Sequence, residues 1–232
     1  MARLPRLALA GYPHLLLQRG HGSGPVFQDP GDYELYLTAL QRAATEHRVA
    51  IHAYALLDDR VLLLATPQTD VGLGRMLQSL GRRFGAEVNR RRGRRGTLWD
   101  GRFKCTVLDA ETRLLDCIRY VELAPAAAGQ AQEALDQAWS SAAHHAGRRT
   151  DPLVTEHPLY WRLGNTPFER EARHRELLAE PLPRTLARQI EDALQKGWAL
   201  GSEGFLKAVA ASTDRPLTPR PRGRPRRAAP AE

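Results

Sequence analysis

A tyrosine hydroxyl can attack a phosphate and hold it covalently. With a pKa near 10 it needs a polarised phosphate or a neighbouring base to do so. Tyr120 stands in Cys117-Ile118-Arg119-Tyr120-Val121-Glu122-Leu123, where apolar spacing is helical and an arginine comes directly before it. Most helical tyrosines simply pack, so spacing alone does not single it out. A denser signal lies upstream. Between Arg75 and Lys104 there are ten basic residues and two acids, Glu87 and Asp100. Arg82, Arg83, Arg90, Arg91 and Arg92 fall on one long helix, and Arg94, Arg95, Arg102 and Lys104 continue beyond it. A helix dipole favours one or two cations at a helix C-terminus, not this many. Such a block repels itself unless a polyanion offsets it, and phosphate backbone is the partner it suits. Trp99 and Phe103, inside the block, could stack on an unpaired base or pack in the core.

A second basic segment closes the chain. Pro221-Arg222-Gly223-Arg224-Pro225-Arg226 is similar to an AT-hook, in which an extended backbone follows the narrow minor groove and arginines such as Arg222 and Arg224 reach inward. Six residues also match easily by chance in so Arg/Pro-rich a stretch, and a solvated basic tail has general phosphate affinity.

The whole chain agrees with a nucleic-acid partner. Its 232 residues carry a formal net charge of +8, and of 34 basic residues only Lys104, Lys196 and Lys207 are lysines. Arginine forks bind phosphate oxygens bidentately. Codon bias explains the preference for arginine over lysine, but not the clustering. Cys105 and Cys117 make neither a metal motif nor a disulfide framework, which suits a reducing cytoplasm. The first twenty residues hold no long uncharged apolar core, so neither a leader nor a membrane span is expected.

The elements that must position these groups follow from periodicity. Residues 14–19 read as a strand. Residues 29–47 read as a helix with Tyr33, Leu37, Leu40 and Ala44 on one face. Residues 49–57 and 61–65, joined by Asp58-Asp59, read as a hairpin. A long helix is expected over 71–91, a strand over 98–108 and a helix over 111–123, with Pro125 just beyond it. Strand, helix, strand, strand, helix, strand is the ferredoxin-like arrangement. The fold class is therefore α+β: a four-stranded antiparallel sheet with helices on one face, over residues 1–150. A helical extension over 151–212 follows, with helices near 166–178, 185–194 and 202–211. From 213 to 232 the composition predicts a disordered Arg/Pro-rich tail. An RNA-binding module of this topology would need aromatics on adjacent central strands, and Tyr54 and Phe103 are the candidates.

The run GRRFGAEVNRRRGRRGTLWDGRFKCTVLDAETRLLDCIRYVELAPAAAG (residues 81–129) resembles the core of the REP-associated tyrosine transposases, relatives of insertion-sequence transposases of the single-tyrosine HUH type. AGYPHLLLQRGHGSGPVFQD, IHAYALL, AWSS and HPLYWRLG are similar to family segments too, so the likeness spans roughly residues 3–205. The resemblance implies a ferredoxin-like fold and DNA as partner, single-stranded or hairpin-forming. It implies strand cleavage and rejoining through a phosphotyrosine link, with Tyr120 as nucleophile and a divalent cation such as Mg²⁺ as cofactor. A monomer or a homodimer is compatible with it.

The departures are as specific as the likeness. Where the family places His-hydrophobe-His, this chain has Arg60-Val61-Leu62, and a further ligand position, often asparagine, is Ala124. None of Arg60, Leu62 and Ala124 ligates a hard cation. His52 is badly placed on the same hairpin, and Glu122 points elsewhere on the helix from Tyr120. A metal clamp on a scissile phosphate supplies several kcal/mol of transition-state stabilisation. The expectation is therefore a DNA-binding protein of transposase type without a metal site. The alternative is a non-catalytic DNA-binding regulator using the basic block and the tail.

Overall fold

The computed structural model describes residues 6–22, 24–213 and 215–218. The chain runs β1 (His14–Arg19), α1 (Pro30–Glu46), β2 (Val49–Leu57), β3 (Arg60–Pro67), α2 (Gly72–Arg91), β4 (Lys104–Val107) and α3 (Ala110–Ala127). Then come α4 (Ala142–His145), a 3-10 turn over Pro158–Leu163, α5 (Pro167–Ala179), α6 (Arg184–Lys196) and α7 (Glu203–Ala210). The sheet order is β2-β3-β1-β4 with every neighbour antiparallel. This is the expected ferredoxin-like order.

Strand alternation divides the core into two layers. Leu16, Tyr54, Leu56 and Leu63 face α1 and α2, meeting Tyr36, Leu40, Leu80 and Phe84. The buried stripe of α1 is Tyr36, Leu40, Ala43 and Ala44, so the expected Tyr33 and Leu37 lie at its edge. Leu15, Leu17, Ala55, Leu62 and Leu64 face the opposite way, onto Leu114, Ile118 and Val121 of α3. The two crossover helices thus share one face as expected, and α3 with the C-terminal segment covers the other.

Three boundaries differ from the sequence reading. The fourth strand is four residues long, because residues 98–103 leave it as a loop. Helix α3 runs through Pro125 to Ala127, and Ala128 N–H donates to the Ala124 carbonyl beyond the proline. The Pro/Arg-rich end begins with ordered chain. Leu217 is buried with Leu7, Val107 and Val209, and its carbonyl accepts from Ala199 N–H at 3.0 Å. Arg222 and Arg224 lie outside the described residues. Among the described residues no helix is long and apolar enough to cross a membrane. Both cysteines are buried and free.

The helical extension is built into the sheet's second layer. Tyr160, Ile190 and Leu194 join the α3-side core, and short bridges tie Ile51 to Val154 and Leu108 to Leu200. Replacing the fully buried Ile190 by alanine should therefore cost about 2–5 kcal/mol of whole-chain stability. Urea unfolding followed by both far-UV and tryptophan signals should give one shifted transition. Separate transitions for the extension and the sheet would contradict a shared core.

Candidate nucleic-acid interface

Tyr120 is half-buried on α3 and forms part of a cavity of about 510 Å³. Leu17 of β1 and Leu62 of β3 line it from the sheet, and Leu123 and Ala124 from α3. The helix turn beyond Pro125 adds Ala126 and Ala127, and Pro181, Leu182 and Ala187 close the far side. The charged lining residues are Arg19, Arg60 and Glu191. Tyr120 and the three positions Arg60, Leu62 and Ala124, scattered over 65 residues of sequence, thus meet in one place. β1 and β3 pair with Arg19 opposite Arg60, so the two guanidinium groups share one face at one end of the sheet. Asp59 offsets them in part, 3.7 Å from Arg60.

The cavity is ill-suited to a divalent cation. Leu62 and Ala124 offer no ligand atom, and two arginines repel a metal from the site. Among the described residues Glu191 is the carboxylate on its wall, accompanied by the amide of Gln195. These two α6 residues carried no motif, and the sequence reading missed them. His52 is elsewhere: buried on β2, it bonds the Thr155 carbonyl at 2.7 Å and the Thr66 hydroxyl at 2.8 Å. Nor is Tyr120 prepared as a phenolate. Burial raises its pKa above the usual tyrosine value, and Glu191 adds to the rise, against a smaller opposing pull from Arg60 and Arg19. Arg119 is turned away and donates to the Glu180 carbonyl at 2.9 Å.

The basic block divides into two sets. Arg91 reaches the buried Asp32 at 2.9 Å, and Arg92 pairs with the same carboxylate. Arg83 pairs with Glu46 at 2.7 Å and Arg90 with Glu87 at 2.5 Å. These arginines tie α2 to α1 or to itself. Arg82, Arg94, Arg95 and Arg102 are exposed and carry no ion pair among the described residues. Lys104 is half-buried at the start of β4. Neither Trp99 nor Phe103 is open for stacking. Trp99 is buried against Tyr36 and Phe84, and the Arg6 guanidinium lies 3.7 Å over the Phe103 ring.

The loop carrying Arg94, Arg95 and Arg102 is fastened to the cavity's end of the sheet. Asp100 N–H donates to the Arg19 carbonyl and His21 N–H to the Leu98 carbonyl, each at 2.8 Å. Gly20 bridges to Trp99, and Gly20 N–H donates to the Asp59 carbonyl. Free loop arginines and the Arg19–Arg60 pair therefore occur at one end of β1 and β3.

A third constellation was not anticipated. On the side of α3 away from Tyr120, Glu122 is fully buried between His145 of α4 and His174 of α5. Its Oε1 lies 2.6 Å from His145 Nδ1 and its Oε2 lies 2.7 Å from His174 Nε2, while the Ser141 hydroxyl donates to Oε1. Burial would raise the Glu122 pKa, but the two imidazoles and their hydrogen bonds more than offset it, so the carboxyl stays well below its ordinary value. Both carboxylate oxygens are already satisfied, and the histidines reach them directly at hydrogen-bonding distance.

The architecture is a ferredoxin-like antiparallel sheet with helices on both faces. More particularly, it is similar to a REP-associated tyrosine transposase solved bound to a REP hairpin. That match has a TM-score of 0.55 at 14% identity and covers 68% of this chain and 93% of that one. The structure of a putative transposase from Deinococcus radiodurans also matches, with a TM-score of 0.35 at 18% identity over 49% of this chain and 91% of that one. No protein-family model and no curated protein matches the sequence.

The buried triad generates a stability prediction. Glu122→Gln removes the charge that faces two buried histidines, and breaking a buried pair costs about 3–5 kcal/mol. The loss should appear in urea unfolding at pH 7. The sign with pH follows from the depressed carboxyl: its contribution is present above the ordinary carboxylate pKa and is lost as pH falls through the folded value. Acidification below about pH 4 should therefore narrow the gap between wild type and variant, whereas a constant gap would mean the carboxylate charge is not what is lost.

Proposed function

We propose that the chain is a DNA-binding protein on a transposase fold, taking single-stranded or hairpin DNA and not cutting it by a metal-assisted route. The observation that carries this reading is the convergence at one sheet end of Arg94, Arg95 and Arg102 with Arg19 and Arg60. Phosphate contacts of this kind position a nucleic acid without reading its sequence. The neighbour solved with a REP hairpin supports DNA as the partner class and a hairpin as its form. Both sheet faces are covered by helices, and Tyr54 is buried with its hydroxyl on Asp151, which argues against an RNA platform on the strands.

Tyr120 remains the residue a phosphotyrosine link would use. The surroundings that would activate it have changed: arginine, leucine and alanine stand at the positions where the resemblance puts metal ligands. Arg60 can neutralise a phosphate, but a fixed cation lacks the octahedral coordination of Mg²⁺.

Two measurements test the reading. Fluorescence anisotropy with a labelled DNA hairpin should show binding whose log–log salt slope falls by about three when Arg82, Arg94, Arg95 and Arg102 are all changed to glutamine. An unchanged slope would remove the loop from the interface. Incubating the same hairpin with Mg²⁺ or Mn²⁺ should give no denaturant-resistant protein–DNA adduct. An adduct formed by wild type and absent in Tyr120→Phe would establish cleavage and overturn the non-cutting half of the proposal.

A further inference from the structure

The Tyr120 cavity calls for an occupant that a scissile phosphate does not match. Its floor is hydrocarbon, from Leu17, Leu62, Ala124 and Leu182. One aromatic ring, Tyr120, stands on its wall. Among the described residues its polar side chains are the Arg19–Arg60 pair, the Tyr120 hydroxyl, and Glu191 and Gln195 of α6. Its volume, about 510 Å³, is within the range of small-molecule sites. An apolar slot with one ring, a double cation and an amide–carboxylate edge has the complementarity of a single nucleotide: planar base, anionic phosphate, hydrogen-bonding rim.

Resting on the DNA-binding reading above, we infer that the cavity receives one unpaired nucleobase of the bound DNA, with the adjoining phosphate held between Arg19 and Arg60. The base lies against Leu62 and Ala124 and stacks on Tyr120, as unpaired bases do on aromatic side chains. A base paired in a duplex cannot enter, so the occupant comes from a loop, bulge or tail. The phosphate relieves a repulsion present in the free protein, since Arg19 and Arg60 are like charges directly opposite on adjacent strands. Glu191 accepts from an exocyclic amino group, which favours cytosine, adenine or guanine over thymine. Leu62 and Ala124 thus acquire a positive role: they make a dry floor for a base.

The test is an abasic walk. A labelled DNA hairpin with single-stranded tails is prepared with one abasic site at each unpaired position in turn, in loop and tails. Affinity for the full chain is then read by anisotropy. One position should weaken wild-type binding about tenfold, the scale of one stacked base. Ala187→Trp fills the cavity and should bind every member of the series alike. Glu191→Gln should reduce the discrimination against thymine at the sensitive position in the wild-type fold. Tight binding that is indifferent to every abasic site overturns the cavity assignment and leaves the DNA-binding reading standing. Failure to bind any hairpin takes both down.

Discussion

Antiparallel pairing of β1 with β3 sets Arg19 directly opposite Arg60. Like charges in that relation destabilise a sheet by roughly 0.2–1 kcal/mol. Asp59 compensates Arg60 from 3.7 Å, and Arg19 has no ion pair among the described residues. Much else depends on this pair. It sets the polarity of the Tyr120 cavity and favours anions at one end of the sheet. The exposed arginines of residues 94–102 reinforce the same field, because their loop is hydrogen-bonded to the Arg19 carbonyl and to His21.

Helices cover both faces of the sheet. Alternation sends Leu16 to one layer and Leu15 and Leu17 to the other, and both layers are covered. α1 and α2 form the first cover, α3, α6 and the 3-10 turn the second. Buried on both faces, the strands can present only their ends. The end where β1 stops and β3 starts is also where the basic loop is anchored. Four of the block's arginines serve that cover: Arg83, Arg91 and Arg92 hold α2 against α1, and Arg90 pairs along its own helix.

What was legible in the sequence follows the range of the interactions concerned. The strands at 14–19 and 49–57 were readable because apolar residues at strand length are a local signal. The helix over 110–127 was readable, but its end was not: Pro125 suggests a stop, and packing against the sheet carried the helix one turn further. The division of the basic block into tied and open arginines needed Asp29, Asp32 and Glu46, some 37 to 62 residues away. Tyr120, Arg60, Leu62 and Ala124 could be grouped beforehand only through a family likeness. Glu191 and Gln195, which complete the cavity, belong to no motif and came into view only with α6 in place.

Glu122 and Tyr120 are two residues apart, which on a helix puts them on different sides. One side of α3 is held by the buried carboxylate, which grips α4 through His145 and α5 through His174. The other side forms the cavity wall. A wall built on a helix held in this way has little freedom to move, which keeps the ordering cost of binding there small. α3 is thus positioned from behind by a fully buried carboxylate and its hydrogen bonds, and its other side borders the cavity.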